Sequence, residues 1–368
     1  MTYKALNTND VVSTRTLLHE AIPLTGTIVS GTYDDNNIKD YAHGMLQSVY
    51  DYPYLSSSAN HIFDITLGIG TNSSLYSSVS NQKSKKKNIY NQMAQVLMGY
   101  DANGSIQTFD QDGDLLAGGV KLNDTIIVPF SRLLTKDEIK KETFQLKLGV
   151  SASYLAPFGN IVTIADVGAS TEYRVNSPVG EYGILYATAS APAQYLNTTS
   201  THTASINGVK YWYAGLLYYQ AGIMVLTASM FGSQLNNSGI GGAALQFASN
   251  SVGTQVLDPV LTGSSISSSA NNFRHRIQNI QFNNTTELNS TVYFCRANHN
   301  EFNYSSNPTY VSGSKIRVKN QATDDPVSYI TTIGLYSDKN ELMASAKLSE
   351  PLKKSPSTEY TIRVRLDY

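Results

Sequence analysis

The residues of this chain best placed to do chemistry are its acidic turns. Phe109-Asp110-Gln111-Asp112-Gly113-Asp114 follows closely on Asp101-Ala102-Asn103-Gly104. Alternate carboxylates on a glycine turn are the oxygen ligands that a hard cation such as calcium takes. The spacing departs from the EF-hand loop, because the glycine falls early and no glutamate stands at the twelfth loop position. The same residues also read as two ordinary turns flanking a strand from Ser105 to Phe109, a β-meander. That reading covers both segments, so no metal is expected, and Asp110, Asp112 and Asp114 are the residues to watch.

No other constellation suggests catalysis. The six histidines are scattered singly, with no His-X-X-X-His zinc pattern. Gly-X-Ser-X-Gly and the Gly-Lys-Ser/Thr of a phosphate loop are absent, and Gly239-Ile240-Gly241-Gly242 lacks the strand-to-helix context of a phosphate cradle. The single cysteine, Cys295, excludes an internal disulfide framework. Paired carboxylates for glycoside hydrolysis would need a cleft of acids and aromatics, yet the chain is acid-poor from 182 to 280. The expectation is a protein without catalytic residues or cofactor.

The elements that would position these residues are mainly strands. Asp10 is placed to cap a short helix through Val11, Leu17 and Leu18, and Ile38 to Val49 is a second helical candidate. The clearest helix covers 81 to 98, where Ile89, Met93, Val96 and Leu97 make one apolar stripe and Gly99 supplies the C-cap. Its first turns carry Lys83, Lys85, Lys86 and Lys87, read as a solvated face. Thr135-Lys136-Asp137-Glu138 has the pattern of a capping box. From Thr143 onward the alternation is β: Thr143 to Val150, Ile161 to Val167, then Tyr182 to Ala187. The polar stretch Asn197 to Asn207 reads as an exposed loop. Val209 to Leu226 reads as a long Tyr-rich hairpin turning near Gln220-Ala221-Gly222.

Three regions follow: a mixed α/β domain over 1–142, a β-rich domain over 143–270 whose 232–271 segment is a Gly/Ser/Asn arm, and a C-terminal β-sandwich, Ig-like or jelly-roll-like, over 271–368. Ile362, Val364, Leu366 and Tyr368 alternate with charged residues in a terminal strand that must pair to stay ordered.

Composition narrows the partners. With 27 basic and 28 acidic residues in 368, there is no electrostatic footprint for nucleic acid or an anionic membrane. No apolar run is long enough to span a bilayer and the opening residues are polar, so a soluble protein made in the cytosol is expected. Only 15% of residues are charged, while tyrosine occurs 25 times against 11 phenylalanines and one tryptophan. Tyrosine buries a ring and keeps a wet end, which suits protein interfaces. The contact candidates are Tyr211, Trp212, Tyr213, Tyr218 and Tyr219 of the hairpin, with Ile362, Val364 and Leu366 of the terminal strand.

Five blocks carry a resemblance. Asn88-Ile-Tyr-Asn-Gln-Met-Ala-Gln-Val-Leu-Met-Gly-Tyr-Asp101, the run from Phe130 to Lys141, Tyr218-Tyr-Gln-Ala-Gly222, Tyr293-Phe-Cys-Arg-Ala-Asn-His299 and Tyr329-Ile-Thr-Thr-Ile-Gly-Leu-Tyr336 resemble segments of virion structural proteins of contractile-tailed marine phages, including cyanophages. The strand Ile333-Gly-Leu-Tyr336, the turn after it, Glu341-Leu-Met-Ala344 and Leu348-Ser-Glu-Pro-Leu-Lys-Lys354 are together also similar to hairpins of tail-fibre and baseplate proteins. The resemblance implies a non-enzymatic virion component, made in the host cytoplasm. Its partners would be copies of itself and other virion structural proteins. The tail apparatus, at the baseplate or a fibre-attachment point, is the expected location. A neck or collar component, a host-receptor or glycan-binding tail module, and a polysaccharide depolymerase are the alternatives.

Overall fold

The computed structural model describes residues 3–20, 27–30, 35–73, 75–76, 81–116, 118–130, 138–149, 156–159, 161–189, 203–228, 266–305, 307 and 310–367. They divide into two units, one of residues 19–286 and one of residues 1–18 with 287–368. As expected, the fold is mainly β, built from antiparallel sheets.

The 19–286 unit is organised by one large sheet. Its strands run in the order Thr27–Ser30, Ile277–Gln281, Gln145–Gly149, Ile161–Ala165, Gly180–Ala189, Val209–Tyr218, Ile223–Thr227, Asp124–Pro129, His61–Ile69, Gln47–Tyr50 and Ile38–Asp40. Arg174–Ser177 pairs beside Gly180–Ala189, and Thr203–Ile206 beside Val209–Tyr218. Strands Gln145–Gly149 and Ile161–Ala165 alternate, so Leu146, Leu148, Val162 and Ile164 are buried while Gln145, Lys147, Ile161, Thr163 and Ala165 are half-buried. The central strands are covered on both faces: Ile126, Ile127 and Val128 are buried in succession, as are Leu216, Leu217 and Tyr218. Gly215 sits at a bulge in this centre, where a Cβ would lie 2.1 Å from the Val225 carbonyl oxygen, so only glycine fits. Phe63, Phe130, Phe144 and Phe282 form a ring cluster with centroids 5.6–6.3 Å apart.

Two helices cover strands of this sheet. Helix Asn81–Leu97 packs on His61–Ile69 through Lys86, Ile89, Tyr90, Ala94 and Leu97. Gly99, at φ +79, ends it as expected, donating its N–H to the Ala94 carbonyl. Val96 is not part of the stripe; it is exposed, one residue off the buried face. The lysines are not one solvated face either. Lys86 is buried, and desolvation, helped by the charge of Lys83, pushes its ammonium down to about 8. Helix Ile266–Arg274 packs against His61–Ile69 and Gln47–Tyr50, burying Ile266, Ala270 and Phe273 at i, i+4 and i+7.

Several expectations need correction. Val11–Glu20 is a strand, because its run of valine and threonine favours extended backbone over the weak helical spacing. Ile38–Asp40 and Gln47–Tyr50 are paired strands, separated by a turn in which Gly44 takes φ +61. Ser105–Phe109 is no continuous strand; only the bridges Tyr100–Ile106 and Asp110–Lys121 form around it. Thr203–Ile206, placed in a loop by its polarity, is a strand closed by Asn207-Gly208, both at positive φ, which is a two-residue hairpin turn. The expected capping box at 135–137 and residues 232–265 of the expected arm lie outside the described residues; the rest of the arm, 266–271, belongs to helix Ile266–Arg274, whose buried apolar stripe holds it on the sheet, and Glu138–Ile139 is a strand pairing with Asn284 and Thr285. No boundary falls at 142 or 270. Asp124–Pro129 pairs with Ile223–Thr227, and Thr27–Ser30 with Ile277–Gln281, so one sheet spans both positions.

The other unit is built from smaller sheets. Val11–Glu20, Asn284–Ala297 and Tyr360–Asp367 form one sheet, while Ser328–Tyr336 with Leu342–Lys354 and Val311–Ser312 with Lys315–Ile316 are separate hairpins. The expected sandwich thus resolves into that sheet, to which Glu138–Ile139 adds a short fourth strand at Asn284 and Thr285, and two hairpins. Among its described residues only Val292, Ala297 and Val364 are buried apolar side chains. Polar clamps compensate. Lys354 is wholly buried, and its ammonium donates to the His299 carbonyl, the Asn303 side-chain oxygen and the Ser355 carbonyl at 2.7–3.2 Å. Arg296 Nε holds Asp10 at 2.7 Å.

Candidate functional site

The acidic turn is docked firmly on the large sheet. Phe109 is buried edge-on against Tyr90, and backbone bonds from Gln111 N–H to the Val120 carbonyl and from Leu122 N–H to the Phe109 carbonyl close the loop behind it. Gly113, at φ +70, lies against Arg174 and Tyr182, where a Cβ would come within 3.0 Å of both side chains. Its carbonyl accepts from Asn176 Nδ2 at 3.0 Å, and the Asp112 carbonyl accepts from Arg174 Nε at 3.2 Å. The turn is therefore fixed by Arg174–Ser177, a strand on which the sequence raised no signal.

The three carboxylates converge. Asp110, Asp112 and Asp114 each bring an oxygen within 4.8 Å of the others, the one such group among the described residues. Asp112 Oδ1 accepts from Asp114 N–H, and Asp114 Oδ1 from Leu116 N–H. Asp110 Oδ2 accepts from Leu115 N–H at 2.8 Å and from Lys121 Nζ at 2.7 Å. Burial pushes the Asp110 carboxyl up, the Lys121 contact pulls it down, and the rise wins. The turn reading of Asp101–Gly104 also holds, since Asp101 Oδ1 accepts from Asn103 and Ser105 N–H.

Beside this turn stands the tyrosine-bearing hairpin. Trp212, Tyr218 and Tyr219 are buried in the core of the 19–286 unit, so they are not available to a neighbouring subunit, contrary to expectation. Trp212 takes the buried side of an alternating stretch between half-buried Tyr211 and Tyr213, while from Ala214 to Tyr218 the strand is covered on both faces and Tyr219 follows it into the core, a pattern that alternation in one sequence does not reveal. Tyr218 donates to Met98 Sδ and packs on Tyr182 at 5.1 Å. Tyr211 and Tyr213 are half-buried and flank Tyr186 at 6.0 and 5.5 Å. Desolvation, with Asp112 and Asp114 nearby, pushes the Tyr213 phenol up. In the other unit, Val364 is buried against its own sheet, and Ile362 and Leu366 are half-buried opposite Cys295 and Thr291. The terminal strand thus finds its partner within the chain.

A second polar centre was not signalled by the sequence. Asp166, buried at the end of strand Ile161–Ala165, accepts from Glu142 N–H at 2.8 Å, Phe144 N–H at 3.1 Å and Tyr219 OH at 3.2 Å. Nearby, Lys141 pairs with Glu181 at 2.6 Å and lies over the Tyr219 ring. Every group facing Asp166 is a donor held by the fold, which describes a latch rather than a reacting centre. His61 and Ser48 both contact Asp64, at 2.6 and 2.5 Å. The carboxylate lies between imidazole and hydroxyl, so the histidine is not set to take the serine proton.

No family model, curated protein or solved structure matches the chain. No helix among the described residues is long and apolar enough to cross a membrane.

Proposed function

We propose that the chain is a non-enzymatic structural subunit of a tailed-phage virion, present in multiple copies in the tail apparatus at the baseplate or a fibre-attachment region, with a neck or collar position as the variant of the same reading. The observation that carries it is the imbalance of the unit formed by 1–18 and 287–368. Among its described residues three apolar side chains are buried, whereas Tyr3, Phe302, Tyr304, Tyr329, Leu342 and Met343, among others, are exposed. The strands Ser328–Tyr336 and Leu342–Lys354 pair only with each other among the described residues. A lone two-stranded hairpin is marginal in water, and exposed apolar surface on such an element favours association with other chains. The resemblance of five sequence blocks to virion proteins supplies the phage context.

In purified particles of a phage that encodes the chain, it is expected in multiple copies, located by cryo-EM in the tail. Its absence from purified virions overturns the reading. A second reading, a module for host-surface glycans, is favoured by an open recess of about 490 Å³ lined by Asn36, Ile38, Asp40, Pro53, Tyr54 and Leu55. An aromatic ring beside amide and carboxylate groups suits a sugar. On a glycan array, signal lost in Tyr54→Ala supports this second reading, and silence removes it.

A further inference from the structure

We propose that Asp110, Asp112 and Asp114 form a binding site for a hard divalent cation, calcium by preference, on the face of the 19–286 unit. The convergence of three carboxylates within 4.8 Å is one part of the argument. A separate observation points to a ligand. Asp110 is wholly buried, yet its Oδ1 has no hydrogen-bond donor, while Oδ2 takes both Lys121 Nζ and Leu115 N–H. A buried carboxylate oxygen left without a partner is a costly arrangement that calls for an ion or water. Charge agrees with a divalent ion: Lys121 neutralises one of three carboxylates, leaving two negative charges on oxygen-only donors. Burial grades from Asp110 through half-buried Asp112 to exposed Asp114, which leaves the site an entrance from solvent.

Calcium titrated into the full chain, stripped beforehand with a chelator, is expected to bind with a Kd of about 10⁻⁴ to 10⁻³ M, in the range of weak oxygen sites. Binding is expected to raise the thermal midpoint, with magnesium weaker because it demands stricter geometry. Asp114→Asn keeps an oxygen to accept the Leu116 N–H but removes a charge. It is expected to weaken calcium binding at least about tenfold. Lys121→Met is expected to retain the site. The proposal is overturned by absence of heat and of any midpoint shift at about 10 mM calcium, well above that Kd range, or by binding unchanged in Asp114→Asn. It is equally overturned if calcium binds only to Lys121→Met, since the lysine itself would then be the cation of the turn.

Discussion

Asp166→Ala is expected to lower the stability of the 19–286 unit by about 3–5 kcal/mol, measured as the free energy of urea unfolding. Three donors converge on the Asp166 carboxylate: the N–H groups of Glu142 and Phe144 and the Tyr219 hydroxyl. Alanine removes all three acceptor contacts at once while leaving the donors buried, and each orphaned donor costs about 1–3 kcal/mol. The latch also holds the turn in which Glu142 takes φ +64, a left-handed conformation that a non-glycine residue keeps only under constraint. On the far side, Tyr219 is held so closely that a Cβ on Gly183 would lie 2.0 Å from its hydroxyl. The variant therefore loosens both the entry to strand Gln145–Gly149 and the turn after Val209–Tyr218.

The same residue gives the unfolding curve a pH signature. Burial pushes the Asp166 carboxyl from its ordinary 3.8 up to about 7, against the pull of its three donors. Between those values the folded chain holds a proton that the unfolded chain has lost. The contribution of this group to stability is thus full below about pH 4 and disappears as pH rises through 7. Asp110 and Asp124 are raised in the same direction, so the readout is the difference between the native chain and Asp166→Asn. That difference is expected to slope between pH 5 and 7.5 and to be flat above it; a flat difference throughout would show Asp166 ionised across the range.

Much of this architecture is legible where the relevant contacts are local. Helix Asn81–Leu97 and its glycine stop follow from apolar spacing and one C-cap, and the turn at Gln220-Ala221-Gly222 follows from its glycine, observed at φ +60. Asn207-Gly208 carried an equally local hairpin signal that the polarity of its surroundings masked. Non-local relations are another matter. Asp166 is an unremarked acid after a strand, and its partners lie 24, 22 and 53 residues away in sequence. The acidic turn was visible as a motif, yet its orphaned oxygen, its Lys121 contact and its Arg174 anchor exist only once the sheet has formed. Tyrosine is ambiguous for a similar reason: composition does not say which rings lie between layers and which face out.

Trp212→Ala is the sharpest test of that ambiguity, because the two roles for the ring predict different measurements. Trp212 is 2% exposed and sits in strand Val209–Tyr218, paired with Ala187 on one side and Thr203 on the other. As a core ring, its removal leaves a cavity that the flanking strands cannot close, and the unfolding free energy is expected to fall by about 3–5 kcal/mol at every protein concentration. As a subunit contact, its removal would leave the isolated chain as stable as before and lower only the assembled mass. Tyr211→Ala, at a half-buried neighbouring position, is expected to cost about 1 kcal/mol, in the range of an average substitution. A native unfolding midpoint for Trp212→Ala, together with loss of multimers in sedimentation, would return the hairpin to the surface. The expected opposite result places the association surface on the exposed Ser328–Tyr336 and Leu342–Lys354 strands, where Tyr329→Ser with Leu342→Ser should dissociate multimers and leave the 19–286 unit folded.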